Sequence, residues 1–259
     1  MTGGIFSLSG KTALVTGGAH GLGRMIAEGL LAAGASVIIT SRKQAEAERA
    51  GDELRHLGRI AAFAANLATP EGCTALAEQV RRQVDALHIL INNAGRTWGA
   101  PFETFPDKAW DSVMAVNLQA PFTLFRDLLP ALKAGASADD PARVINVGSI
   151  AGKVVEPIEA FSYAASKAAI HHLSRMLAAE LAGDHICVNT LVPGYFPTHM
   201  TDHMRTDPET ESGLLARVPL KRFGSATDIA GACIFLASRA GSYVTGTELV
   251  LDGGMAGCR

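Results

Sequence analysis

Short apolar runs alternate with amphipathic stretches through the first half of the chain, and this alternation limits the possible folds more than any other feature. The runs are Thr12 to Thr16, Ser36 to Thr40, Ile60 to Ala65 and His88 to Asn92. Between them lie Leu22 to Ala33, Gln44 to Leu57 and Glu71 to Asp85, with apolar residues at helical spacing. Repeated strand-helix units predict an α/β fold: a parallel sheet with helices packed on both faces. The pattern continues with a long helix near Asp107 to Leu132, a strand at Arg143 to Val147 and a helix carrying Tyr163. A strand at Ile186 to Leu191, a helix at Thr227 to Ala237 and a last strand at Glu248 to Leu251 complete it. The chain has 259 residues, 48% of them hydrophobic, which is enough for one large core. No repeat or linker divides it, so residues 1–259 are expected to form a single domain. Ala134 to Pro141 reads as a surface loop. Pro193 to Arg217 is polar, holds prolines at 193 and 197 and is long for a connection, as a substrate lid would be.

Several functions are disfavoured. A net charge of −2 without a basic run argues against a nucleic-acid partner. No apolar stretch reaches the roughly 18 residues of a membrane span. Met1 to Gly10 has no basic residue ahead of its apolar positions and does not read as a secretory signal. Cys73, Cys187, Cys233 and Cys258 are scattered, which fits thiols in a reducing cytoplasm better than a zinc site or a disulfide framework.

After the first strand comes a glycine-rich turn, Thr16 to Gly23, that leads into a helix. Glycine lets the backbone approach a pyrophosphate, and the helix N-terminus offers free N–H groups with partial positive charge. The spacing is Gly17-x-x-x-Gly21-x-Gly23, a relative of the dinucleotide fingerprint in the same strand-turn-helix context. Gly17, Ala19, His20, Gly21, Leu22 and Gly23 are therefore candidate cofactor contacts. The second strand ends in Ile39-Thr40-Ser41-Arg42-Lys43, without the acid that usually receives the ribose 2′-hydroxyl of NAD. Arg42 is placed to bond a 2′-phosphate, with Ser41 and Lys43 beside it, so the expected cofactor is NADP(H).

Tyr163 and Lys167 stand four residues apart, on one face of a helix. An ammonium beside a phenol is expected to lower the phenol's pKa from about 10. A tyrosine tuned in this way exchanges a proton with a carbonyl or alcohol oxygen near neutral pH.

Together, Thr16 to Gly23, Asn92-Asn93-Ala94-Gly95, Asn117, Ser149, Tyr163 with Lys167, Pro193-Gly194 with Thr198, and Asp252-Gly253-Gly254 resemble the short-chain dehydrogenase/reductase family, in family order and over nearly the whole chain. Asn92 to Ala100, Pro141 to Asn146 and Leu173 to Leu177 are most similar to bacterial NADPH-dependent 3-oxoacyl (β-ketoacyl) reductases, including the rhamnolipid-associated type. The resemblance implies a Rossmann-type doubly wound sheet of seven parallel strands in the order 3-2-1-4-5-6-7. It implies a catalytic group of Asn117, Ser149, Tyr163 and Lys167. Tyr163 is the general acid in reduction and the base in oxidation, and Ser149 holds the substrate oxygen. Lys167 tunes the phenol and bonds the nicotinamide ribose. Asn117 bends its helix and holds a relay water. Cofactor contacts are further implied at Asn66, Leu67, Asn93, Ala94, Gly95, Pro193, Gly194 and Thr198. Asn66 stands where the family usually has Asp, and its side-chain carbonyl can still accept from the adenine amino group.

The expected reaction is NADPH-dependent reduction of a ketone to a secondary alcohol, or its reverse. A 3-oxoacyl thioester heads the substrate candidates, ahead of xenobiotic, steroid, sugar and terpenoid ketones. A non-catalytic nucleotide-binding regulator on the same fold is the alternative from another class. Trp98, Val154, Glu156, Ile158, Tyr195 and Phe196 flank the motifs and are the expected substrate wall. His199, Asp202 and His203 lie on the polar stretch without a clear third ligand and read as solvated, so no metal is expected. The long apolar helices at Asp107 to Leu132 and Ser162 to Leu181 are faces through which the family assembles, which implies a homotetramer, with a dimer as alternative.

Overall fold

The computed structural model describes residues 4–156, 158–198 and 207–258. Seven parallel strands form one sheet in the order β3-β2-β1-β4-β5-β6-β7. They are β1 (Thr12–Val15), β2 (Ser36–Ser41), β3 (Ile60–Ala64), β4 (Ile89–Asn92), β5 (Ala142–Val147), β6 (Ile186–Pro193) and β7 (Glu248–Leu251). The expected strand order is thus the observed one. The order reverses between β1 and β4, where a parallel sheet opens a crevice beyond its strand ends. Register brings those ends level: Val15 lies beside Ile39 on one side and Ile91 on the other, and Asn92 pairs with Asn146.

Helices cover both faces. On one, α1 (Gly21–Ala32), α2 (Gln44–Leu54) and α8 (Ala226–Ala237) supply Ile26, Leu30, Leu54, Ile229 and Leu236 to a core shared with Val15, Ile39 and Ile91. On the other, α3 (Pro70–Gln83), α5 (Ala120–Ala134) and α6 (Phe161–Leu181) bury Leu76, Val80, Leu124, Leu128 and Ala178 against Leu14, Leu90 and Val144. Burying a side chain of this size is worth about 1.5–3 kcal/mol, so both layers hold the strand ends firmly.

Two sequence readings change. The long helix near Asp107 to Leu132 is α4 (Asp107–Met114) and α5 joined by a π turn at Ala115–Gln119. Asn117 sits in that turn, and its side chain bonds groups outside the helix. The polar stretch from Pro193 to Arg217 also contains a helix, α7 (Pro208–Ala216). Proline at its first turn lacks an N–H that would be spare there, and the Asp207 carboxylate accepts from Glu209 and Thr210. His199, Asp202 and His203 lie outside the described residues.

Candidate active site

The crevice at the switch point is a cleft of about 650 Å³. Its floor begins with the glycine turn. Gly17 has φ +64° and Gly21 φ +52°, a region that favours glycine. A Cβ on Gly23 would meet the Gly17 carbonyl oxygen at 2.3 Å, so the turn and α1 close only without a side chain there. His20 is the N-cap residue of α1, and its side chain does not bond the first-turn amides, which stay open to the cleft. Thr16 ties this turn to the next wall: its Oγ1 accepts from the amides of Asn93 and Ala94, both at 3.0 Å. Asn93 Nδ2 donates to the Thr16 carbonyl at 2.9 Å. The result is a cradle of backbone amides with a positive helix end, which fits a dinucleotide pyrophosphate.

At the end of β2, Ser41 and Arg42 line the same cleft. Arg42 is exposed and makes no hydrogen bond or ion pair among the described residues. Glu46, in the first turn of α2, also lines the cleft. It accepts from Ser41 Oγ and Lys43 Nζ, each at 2.9 Å. Asn66 turns its Oδ1 back to the Ala68 amide at 3.1 Å.

The other end of the cleft holds Tyr163 and Lys167, both on α6. Ser149 Oγ accepts from the Ala151 amide at 3.2 Å, and its hydroxyl acts on the Tyr163 phenol to lower its pKa. Lys167 Nζ donates to the Val147 carbonyl at 2.7 Å and lies 5.7 Å from the centre of the Tyr163 ring. Asn117 stands behind them. Its Oδ1 accepts from the Arg96 amide at 2.8 Å, and its Nδ2 donates to the Arg96 carbonyl and to Ser166 Oγ, each at 2.9 Å.

The electrostatics differ from the sequence expectation. Burial pushes the Tyr163 phenol above its ordinary pKa; the Ser149 hydrogen bond opposes this and the Glu156 carboxylate adds to it. Burial also brings the Lys167 ammonium down to about 8. The expected lowering of the phenol by the lysine is therefore not present here. The ammonium is turned to a backbone carbonyl, and desolvation of both groups outweighs their mutual field.

A polar chain behind Ser149 was not legible in the sequence. His171 is buried, and its Nε2 accepts from the Ser149 amide at 3.4 Å. Its Nδ1 faces Glu248 Oε2 at 3.6 Å, and Lys153 Nζ reaches the same carboxylate oxygen at 2.6 Å. Arg175 pairs with the other oxygen of Glu248. A Cβ on Gly148 would meet His171 Nε2 at 2.2 Å, so the backbone passes close over this ring.

The cleft brings together Gly17, His20, Gly21, Leu22, Ser41, Arg42, Asn66, Leu67, Asn93, Ala94, Gly95, Tyr163, Lys167 and Thr198 from the sequence candidates. Four of the cofactor candidates do not line it, nor do Ser149 and Asn117 of the catalytic group. Ala19 is buried in the α1 side of the core, and Gly23 serves the turn itself. Pro193 ends β6, and Gly194 packs against Asp252. Thr40, Glu46, Val116 and Val147 line the cleft and were not anticipated.

The expected substrate wall divides. Phe196 is only 3% exposed and packs into the core, where its ring fills the space over Gly224. The same ring borders a small cavity with Tyr195, Val218 and Leu220. Tyr195 donates to Glu156 Oε1 at 2.6 Å, and Arg217 Nη1 donates to the Tyr195 hydroxyl at 3.3 Å. Val154 packs near Ile150, Val218 and Met255. Trp98 lies under the Lys108 ammonium, 5.7 Å from its ring centre, and Ile158 is half-buried.

Comparison with known proteins agrees with this geometry. A family profile described as enoyl-(acyl carrier protein) reductase matches residues 17–256. The chain is 45% identical to the rhamnolipids biosynthesis 3-oxoacyl-[acyl-carrier-protein] reductase of Pseudomonas aeruginosa, over 96% of this chain and 97% of that one. It is 40% identical to galactitol 2-dehydrogenase (L-tagatose-forming) of Cereibacter sphaeroides, over 96% of each. A solved Pseudomonas aeruginosa RhlG/NADP active-site complex superposes with a TM-score of 0.96 at 44% identity, covering 99% of this chain and 100% of the other.

Proposed function

The chain belongs to the short-chain dehydrogenase/reductase family, and we propose that its substrate is a 3-oxoacyl thioester, reduced to the 3-hydroxyacyl form. It is an NADP-dependent oxidoreductase that interconverts a ketone and a secondary alcohol. One observation carries the residue assignment: Tyr163, one helical turn from Lys167, faces the same cleft as the glycine cradle.

Bound in that cleft, NADP(H) supplies the hydride at its nicotinamide ring. The amides at the start of α1 and the Asn93 to Gly95 segment would hold the pyrophosphate side, and Ser41 and Arg42 would hold the 2′-phosphate. Ser149 donates its hydroxyl to the substrate oxygen and keeps that oxygen against Tyr163. Tyr163 gives it a proton in reduction and removes one in oxidation. The Lys167 ammonium supports the phenolate that Tyr163 leaves behind, and it would hold the nicotinamide ribose. Asn117 fixes Arg96 and Ser166 so that the wall behind Lys167 keeps its shape. A phenol with a raised pKa is protonated at neutral pH, which suits its role as acid in reduction.

The likeness to a 3-oxoacyl reductase supports the thioester reading. The Glu156-Tyr195-Arg217 cluster favours a second reading, a polyhydroxy ketone, since such groups pair with hydroxyls. A panel of acetoacetyl-CoA, longer 3-oxoacyl thioesters and sugar ketones, followed by NADPH absorbance, separates them. The thioesters are expected to give the highest kcat/KM. A preference for a sugar ketone would replace the thioester reading, and no turnover with any ketone would favour a nucleotide-binding regulator.

The segment 193–217 is assigned as the substrate lid and residues 1–259 as one domain. Assembly as a homotetramer is part of the same reading. An open groove of about 980 Å³ between α4, α5 and α6 is lined by Met114, Leu118, Phe122, Leu173 and Met176, and an apolar face of this kind supports burial against a second copy. Cys73, Cys187, Cys233 and Cys258 form no disulfide, which supports a cytoplasmic location. No helix among the described residues is long and apolar enough to cross a membrane.

A further inference from the structure

Around the expected 2′-phosphate position, donors from separate elements converge on one side chain, and that side chain is an acid. Ser41 Oγ, at the end of β2, donates to Glu46 Oε2 at 2.9 Å. Lys43 Nζ, from the residue capping α2, reaches Oε1 at 2.9 Å. His20 Nε2, from the residue capping α1, lies 3.4 Å from Oε2. Hydroxyl, ammonium and imidazole are a donor set suited to a phosphate, and here they surround a carboxylate that lines the cleft. Arg42 is beside them without a partner among the described residues. Lys43, then Ser41, hold the Glu46 carboxyl down at about 2, so it is charged at every pH at which the enzyme works.

We propose that Glu46 is a resident anion in the 2′-phosphate pocket, one that weakens the enzyme's preference for NADPH over NADH. The proposal rests on the NADP reading of the site and adds a selectivity determinant to it. A 2′-phosphate of charge near −2 must take Ser41 and Lys43 from Glu46 and tolerate its charge nearby. NADH brings a neutral 2′-hydroxyl in place of that phosphate, and Glu46 accepts from it without losing its partners. The same carboxylate therefore opposes one cofactor and receives the other. Arg42 works the opposite way, since a guanidinium gains most from the phosphate.

The test is equilibrium binding, independent of turnover. NADPH, NADH and the fragment 2′,5′-ADP are titrated into wild type, Glu46→Gln, Glu46→Ala and Arg42→Ala, with thermal unfolding run alongside. Glu46 is on the surface of α2, so its variants are expected to fold. Glu46→Gln should tighten NADPH and 2′,5′-ADP by about tenfold, as one repelling charge close to a dianion would. NADH should stay equal or weaken, so that the NADPH-to-NADH affinity ratio rises. The gain should shrink as salt is raised. An unchanged ratio in folded Glu46→Gln and Glu46→Ala overturns the proposal. If Arg42→Ala still loses 2′,5′-ADP in that case, the NADP reading stands and only the role of Glu46 falls. If wild type binds 2′,5′-ADP no better than 5′-AMP, both fall together.

Discussion

Lys167 donates its ammonium to the Val147 carbonyl at 2.7 Å, with the same nitrogen 5.7 Å from the centre of the Tyr163 ring. Burial makes this lysine easier to deprotonate, with a pKa of about 8. The sign follows directly: the ammonium is charged below that value and neutral above it. Tyr163 is shifted upward and stays protonated longer. In the reduction direction, kcat/KM for NADPH should therefore decline above about pH 8, because that ratio reports the free enzyme. A profile flat to pH 10 would contradict the placement of Lys167.

Arg42 should dominate the affinity for the 2′-phosphate. Replacing it with Ala should raise the KM for NADPH by about tenfold or more, since one charge-assisted hydrogen bond is worth roughly 1.5–3 kcal/mol. The KM for NADH should hardly change. Initial rates with both cofactors check this, and equal losses for the two would point to a general weakening instead.

Asn117 holds the π turn by filling three hydrogen bonds with one buried amide. Asn117→Ala strands the Arg96 backbone groups and should cost about 1–3 kcal/mol in urea unfolding. Turnover should fall as well, since Lys167 packs on the same wall. Unaltered stability would mean that the turn is held by other contacts.

His171 couples the site to acid stability. Burial lowers its pKa to about 4, opposed by Glu248 and assisted by Lys167, Lys153 and Arg175. The folded chain keeps the ring neutral, whereas the unfolded chain protonates it near pH 6.5. Stability is thus present above about pH 6.5 and is lost as the pH falls towards 4, by up to about 3 kcal/mol. His171→Gln does not titrate, so its unfolding free energy should vary less with pH over that window. Identical slopes for variant and wild type would rule the contribution out.

What was legible in the sequence follows from the range of the interactions. The strands themselves and the cradle at Gly17 to Gly23 rest on local patterns, in which apolar period and glycine spacing carry the physics, whereas the strand order was legible only through the family resemblance. Tyr163 and Lys167 were visible as a pair because one helix carries both. Glu46 and His171 were hidden because their partners come from other elements: Ser41 and His20 for one, Ser149 and Glu248 for the other. A lone Glu in a helix's first turn reads as a dipole partner, and a lone His on an apolar face reads as core. The burial of Phe196 was hidden for a related reason, since adjacency to Tyr195 does not say which side of the chain a ring takes. The tuning of Tyr163 was misjudged because spacing shows the ammonium but not the desolvation that opposes it.

The account stands most directly on the proton that Tyr163 gives to a ketone. Single-turnover oxidation of bound NADPH by acetoacetyl-CoA, compared between wild type and Tyr163→Phe, measures that step. The variant should bind NADPH as wild type does and turn over roughly 10²–10⁴-fold more slowly. Near wild-type turnover in the phenylalanine variant would show that the proton comes from elsewhere.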